Sequence, residues 1–172
     1  MVHTDAGEIG RVEGNTKLPP TGQFRKRALL FGALTVGTLD LLDAVIFYSA
    51  RGNQPVRIVQ AIASGLIGIR AFMGGWVTAL LGVALHFFIA TCIVATYALA
   101  SRRRPDLQRR PFLWGPIYGV GVYLVMNFVV VPLSYAIPGH KTLPVVINGL
   151  LIHILGVGLP SALFARAGSE AP

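Results

Sequence analysis

Five polar side chains lie inside long apolar stretches of the chain, and their types are those that exchange protons or ligate metals. They are Asp40, Asp43, His86, Asn127 and His153. Charged groups are costly in hydrocarbon, so within a membrane such residues normally face the interior of a helix bundle and find partners there. Neighbouring Asp and His side chains can pass protons to one another. These five residues are therefore the candidate site.

The apolar stretches that contain these residues have the length of membrane-spanning helices. They cover approximately residues 28–50, 73–100, 111–136 and 143–166. Each has at least the roughly 20 residues needed to cross a hydrocarbon layer about 30 Å thick. They are continuously apolar rather than alternating, which argues against membrane-spanning strands. The predicted fold is an all-α, integral membrane four-helix bundle, up-down-up-down, over residues 25–167.

Two further segments lie outside these spans. Residues 1–24 are mostly polar and lack periodicity, so we expect a disordered cytoplasmic tail. Residues 56–70 have apolar side chains at helical spacing and polar ones on the other side. This pattern predicts a short amphipathic helix between spans 1 and 2, either on the outer surface or folded back between spans.

The placement of basic residues predicts the orientation. Arg51, Arg57, Arg70 and Lys141 fall on one side of the predicted spans, and the other eleven of the 15 basic residues fall on the side of the two termini. The positive-inside rule makes that side cytoplasmic. The net charge of +8 then reflects orientation and attraction to a lipid bilayer with anionic headgroups. No face that combines aromatic and basic residues supports binding of nucleic acid.

The five polar residues are expected to meet because they lie at similar depths. Counting from the centre of each span at about 1.5 Å per residue places all five within roughly 7 Å of the midplane. Glycine or alanine shares the helical face of each, which lets helices approach closely and aims polar groups inward. We therefore expect His86, His153 and Asp40 in one shell at the bundle centre, with Asn127 and Asp43 bordering it on the outer side.

Three roles for this cluster are open at this point. Interhelical hydrogen bonds of Asp, Asn and His can simply hold a bundle together, each contributing about 1 kcal/mol. The cluster can instead handle protons or a small solute. Thirdly, His86 and His153 are alternative haem ligands, because two histidines at similar depth suit axial ligation of haem b in a membrane electron carrier. No metal site is predicted, since a hard cation would favour a third carboxylate.

The sequence contains none of the common catalytic motifs. It lacks the His-Glu-x-x-His zinc motif, the Gly-x-Ser-x-Gly nucleophile turn, a phosphate loop and a dinucleotide fingerprint. We therefore expect a non-enzymatic membrane protein without a cofactor, either transport-related or an accessory component. A four-helix monomer offers little room for a solute path, so transport would require a homo-oligomer or a membrane-protein partner.

Four segments resemble known proteins. They are residues 56–65 (VRIVQAIASG), 74–90 (GGWVTALLGVALHFFIA), 126–134 (MNFVVVPLS) and 148–160 (NGLLIHILGVGLP). Together they resemble a group of small four-span bacterial inner-membrane proteins and, more distantly, the YagU proteins. The resemblance covers about residues 30–165 and implies the four-span fold and a location in the bacterial inner membrane. It implies no activity, cofactor or catalytic residue.

Overall fold

The structure is a computed structural model that describes residues 21–137, 139 and 141–169, with side chains from residue 26 onward. Within these residues all regular structure is helical. The helices are α1 Thr21–Ser49, α2 Pro55–Ile67, α3 Gly75–Arg103, α4 Asp106–Arg109, α5 Pro111–Leu133 and α6 Leu143–Ala167. Residues 21–24, placed in the tail by the sequence, form the first turn of α1. Residues 1–20 of that predicted tail lie outside the described residues.

Five helical segments among the described residues are long and apolar enough to cross a membrane. They are Lys26–Ser49, Pro55–Phe72, Gly75–Arg103, Pro111–Leu133 and Leu143–Ala167. The sequence predicts four spans, and the additional segment is α2 together with the 3-10 turn that follows it, Gly68–Phe72. Large apolar side chains such as Phe31, Leu80 and Phe88 are exposed on the outside of the bundle. This arrangement is compatible with a helical membrane bundle.

Helix α1 packs between α3 and α6. Gly37 of α1 lies against Phe87 of α3, and Gly32 lies against Val94. Residue numbers fall along α1 as they rise along α3, so the two helices are antiparallel. The last turn of α1 and the first turn of α3 therefore lie at the same end of the bundle.

Helices α5 and α6 approach so closely that glycine is required at their contact. A Cβ atom on Gly119 would collide with the backbone carbonyl of His153, and one on Gly158 would collide with the carbonyl of Gly115. Small residues permit this kind of backbone contact between membrane helices. The contact fixes the position of His153 against α5.

Each of these two helices contains one widened, π-helical turn, Met126–Val130 in α5 and His153–Gly158 in α6. Pro132 and Pro160 follow shortly after. A proline has no N–H to donate to the carbonyl four residues before it, so the preceding hydrogen bonds shift to a wider spacing. The π-helical turn of α5 contains Asn127, and that of α6 begins with His153.

Helix α2 connects neighbouring helices at one end of the bundle. The Gln60 side chain donates a hydrogen bond of 2.9 Å to the carbonyl of Gly75, the first residue of α3, and also lies 3.3 Å from the Thr78 hydroxyl. The N–H of Tyr135, just after α5, donates to the Gly65 carbonyl at 3.0 Å. We call this the α2 end. The opposite end, where α3 leads into α4, is the arginine end.

Candidate functional site

A cavity of about 200 Å³ lies between α1, α5 and α6. Four of the five predicted site residues line it, together with four other polar or aromatic side chains: Asp40, Asp43, Asn127 and His153, and then Tyr48, Tyr123, Lys141 and Asn148. Three helices and the segment before α6 therefore contribute polar groups to one space.

The polar groups occupy successive levels below the α2 end. At about 1.5 Å per residue, Asp43 lies roughly 9 Å before the end of α1 and Asp40 roughly 14 Å before it. By the same measure Asn148 lies roughly 8 Å after the start of α6 and His153 roughly 15 Å after it. Asp43 and Asn148 thus share an intermediate level, while Asp40 and His153 share a deeper one. Lys141, which precedes α6, lies at the mouth.

The intermediate level contains a direct bond between helices. Asn148 Nδ2 donates a hydrogen bond of 2.7 Å to Asp43 Oδ2, which joins α6 to α1. The Asp43 carboxylate also lies within electrostatic range of Asp40 and His153. Two carboxylates one helical turn apart repel each other when both are charged. A proton or a small cation between them would relieve that repulsion.

Asp40 lies deeper and has no such donor. Among the described residues, none donates a hydrogen bond to its carboxylate, and the side chain is half-buried. A charged carboxylate without a partner at this depth is costly in a membrane. Asp40 is therefore the carboxylate of this cavity that has no hydrogen-bond donor among the described residues.

His153 is oriented by its own helix. Its Nδ1 lies 2.8 Å from the Gly149 carbonyl oxygen, which can only accept, so we assign the ring proton to Nδ1. The neutral ring then has its lone pair on Nε2, which can accept a proton. The ring also packs edge-to-face on Tyr123, with centroids 5.5 Å apart. Gly149 leaves room for this pairing, since a Cβ there would lie 2.9 Å from the Tyr123 ring.

Asn127 of α5 and Lys141, which precedes α6, lie close together on one side of the cavity. The Asn127 amide donates a hydrogen bond of 3.0 Å to the Tyr123 carbonyl on its own helix, which leaves its side-chain oxygen unused by this bond. Lys141 Nζ lies 3.4 Å from the Asn127 backbone carbonyl oxygen. The same ammonium lies 5.1 Å from the centroid of the Phe128 ring. The ammonium group of Lys141 is thus held near the mouth of the cavity by a backbone carbonyl and an aromatic ring.

His86 lies at a comparable depth but does not line the cavity. It sits roughly 16 Å after the start of α3, and its Nε2 lies 2.8 Å from the Gly37 carbonyl oxygen. Because that carbonyl can only accept, the buried histidine donates to it and ties α3 to α1. The structure therefore brings Asp40 and His153 to one cavity and places His86 at the contact between α1 and α3.

The alternative haem site would need His86 and His153 to face one macrocycle. His86 Nε2 is bonded to the Gly37 carbonyl, and His153 Nδ1 to the Gly149 carbonyl. The cavity that His153 lines does not include His86. This arrangement does not fit bis-histidine haem. Within the part of the chain that the structure describes, no group of three or more His, Cys, Asp or Glu residues is placed to hold a metal ion.

Four polar or aromatic residues of the cavity were not among the predicted site residues: Tyr48, Tyr123, Lys141 and Asn148. Tyr48 and Lys141 are the two at its mouth. Tyr48 lies four residues after Ala44, on the helical face that Ala44 shares with Asp40, but it is near the end of its span, where aromatic residues are common at the membrane interface. From the sequence, Lys141 is predicted only to be one of the four basic residues on the outer side. The signal available in the sequence was that Lys141 lies two residues before Leu143, the first residue of α6. Both residues line the mouth rather than the deep part of the cavity.

Comparisons with protein-family models, with curated proteins and with solved structures find no match to this chain. The chemistry of the cavity and its position in the bundle are therefore the basis of the functional proposal.

Proposed function

We propose that the protein is a non-enzymatic component of the bacterial inner membrane, transport-related or accessory, that handles protons or a small solute. The observation that carries this proposal is the convergence of Asp40, Asp43 and His153 on one cavity. Three titratable groups at membrane depth are costly unless they are used or fully paired. Of these three groups, only Asp43 has a side-chain hydrogen bond to another helix among the described residues.

The proposed topology has four spans, with α2 at the outer surface. Helix α2 starts beside the end of α1 and is bonded to the first turn of α3, and these two helices are antiparallel neighbours. Its 13 residues extend only about 20 Å, less than a hydrocarbon layer of about 30 Å. The positive φ of Gly68 (61°) interrupts the helix before the 3-10 turn Gly68–Phe72, so the two do not form one continuous helix. The arginine end carries Arg102, Arg103, Arg104, Arg109 and Arg110. The positive-inside rule then places this end and both termini in the cytoplasm.

The size of the cavity favours protons and water over a larger solute. Its volume of about 200 Å³ is below the about 300–1,000 Å³ of ordinary ligand pockets. A proton that enters past Lys141 meets Asp43 first, and then Asp40 and the Nε2 atom of His153. The lining extends to about half the depth of the bundle. Passage across the whole membrane would therefore need a second copy of this chain, which the reconstituted vesicles can supply.

The test is proton movement in reconstituted vesicles containing a pH-sensitive dye. After a pH jump, vesicles with the wild-type protein should equilibrate faster than protein-free vesicles. Asp40→Asn should remove this difference, because the deepest carboxyl group can no longer exchange a proton. Asp106→Asn is the matched control, since Asp106 is exposed on α4 at the opposite end. Equal rates for Asp40→Asn and wild type, or no acceleration by the wild type, would reject the proposal.

A further inference from the structure

A second cavity, of about 480 Å³, lies at the arginine end between the start of α1, the end of α3 and the end of α6. This volume is within the about 300–1,000 Å³ of ordinary ligand pockets. Its walls are mostly apolar or small, and include Leu29, Val94, Ala95, Ala98, Leu99 and Phe164. The alanines create the space, because a larger side chain at either position would project into the groove.

The rim of this cavity is basic. Lys26 from α1 and Arg102 from α3 both line it and are exposed. Neither forms an ion pair or a hydrogen bond with another described residue. The described lining contains no Asp or Glu. Its buried hydroxyl group, Ser101, already donates to Ala98 and accepts from Gln108 at 3.1 Å. Two exposed cations, without an ion-pair partner among the described residues, thus lie at the rim of a mostly apolar groove.

We propose that this cavity binds an anionic phospholipid. Lys26 and Arg102 hold the phosphate of the headgroup, and one acyl chain fills the groove between α1, α3 and α6. The cations lie at the ends of the spans, which is the level of lipid headgroups. Basic pockets between membrane helices favour acidic headgroups, and the guanidinium group can bind a phosphate through two parallel hydrogen bonds.

The headgroup, rather than the acyl chain, determines which lipid is bound. A lipid tail leaves an environment that is already apolar, so it gains little from the hydrophobic effect when it enters the groove. The charge of Lys26 and Arg102 therefore discriminates phosphatidylglycerol from phosphatidylcholine. The groove favours a phospholipid over a free phosphate, because a free phosphate has no acyl chain to occupy it.

Native mass spectrometry of the detergent-solubilised protein, titrated with phosphatidylglycerol or phosphatidylcholine, tests the proposal. The wild type should bind one phosphatidylglycerol in preference to phosphatidylcholine. The double variant Lys26→Gln/Arg102→Gln should lose affinity for phosphatidylglycerol by about 25-fold, since each basic residue near the surface contributes about fivefold. The double variant Arg103→Gln/Arg104→Gln removes the same charge from exposed positions that do not line the cavity. It should retain binding.

A second variant tests the groove without changing the charge. Ala98→Leu should reduce phosphatidylglycerol binding while Lys26 and Arg102 remain, and thermal unfolding verifies that the variant is folded. The proposal is overturned if both double variants lose binding equally, which would indicate a general basic surface. It is also overturned if glycerol phosphate competes as well as the intact lipid, which would indicate a phosphate site without an acyl chain.

Discussion

Asn148 determines what the acidic pair of α1 can do. It donates to Asp43 Oδ2 at 2.7 Å and so holds one carboxyl group against α6, while Asp40, one turn deeper, receives no such bond from a described residue. Two similar residues thus have different environments: Asp43 has an interhelical partner, and Asp40 faces the cavity with His153. The Asp43 bond contributes to stability, and Asp40 is the side chain to which the proposed function assigns proton exchange.

A double-mutant cycle tests the bond between Asp43 and Asn148. Each single change, Asp43→Ala and Asn148→Ala, should lower the free energy of unfolding, and the double variant should lose less than the sum. We expect a coupling of about 0.5–2 kcal/mol, the range found for hydrogen bonds between membrane helices. Unfolding in mixed micelles measures it. The control cycle pairs Asn148→Ala with His86→Ala, which share no contact and should be additive; coupling there would contradict the assignment.

The two histidines are expected to respond differently to substitution. His86→Leu removes the bond from α3 to the Gly37 carbonyl and should lower the free energy of unfolding by about 1 kcal/mol, without changing proton movement in vesicles. His153→Leu removes a bond within α6 and the edge-to-face contact with Tyr123. Leucine can still pack against that ring, so stability should fall less, while proton movement should slow. Thermal unfolding and the vesicle assay, applied to both variants, make the comparison. The reverse pattern would mean that His86 belongs to the functional site.

His86 and His153 show which part of the site could be predicted from the sequence. Depth along a span follows from counting residues at a fixed rise per residue, and His86 and His153 do lie at similar depths. The direction in which each side chain points depends on which helices are neighbours. His86 points to Gly37 of α1, while His153 is turned by its bond to Gly149. A single sequence contains no direct signal for either neighbour.

At the scale of elements, helix existence was predictable and local helix geometry was not. Apolar runs of about 20 residues or more require backbone groups to be satisfied internally, which leaves the helix as the spanning element. Pro132 and Pro160 indicate where the hydrogen-bond ladder is interrupted, but not how it adjusts. The adjustment is a π-helical turn in each case, Met126–Val130 and His153–Gly158. Each π-helical turn rotates the residues that follow it about the helix axis relative to those that precede it, so the two parts of the helix present different faces.

The contact between α5 and α6 gives an element-scale prediction. Gly119→Ala should lower the free energy of unfolding by about 1–3 kcal/mol, because the added Cβ would meet the His153 carbonyl and force the helices apart. It should also slow proton movement, since His153 moves with α6. Gly121→Ala is the control on the same helix, because a Cβ there meets nothing within 4 Å. Unfolding in detergent compares the two, and equal losses would show that the close contact is not what requires glycine.

For the whole molecule, the two ends have opposite characters. The α2 end combines a short helix, Lys141 and the mouth of the polar cavity, whereas the arginine end combines five closely spaced arginines with the apolar groove beside Lys26. This asymmetry is the basis of the proposed orientation, with the α2 end outside. The uneven distribution of basic residues between the two ends could be read from the sequence, whereas the cavity and the groove could not.

Cysteine accessibility in intact cells tests this orientation together with the placement of α2. In a Cys92→Ala background, a cysteine at Arg57, exposed on α2, should react with a membrane-impermeant thiol reagent added from outside. A cysteine at Ala63, which is fully buried, should be protected although it lies on the same helix. A cysteine at Arg104 should react only after the membrane is permeabilised, because the arginine end is expected to be cytoplasmic. Labelling of Arg104→Cys in intact cells would reverse the orientation, and equal labelling of the two α2 positions would remove α2 from its contact with α3.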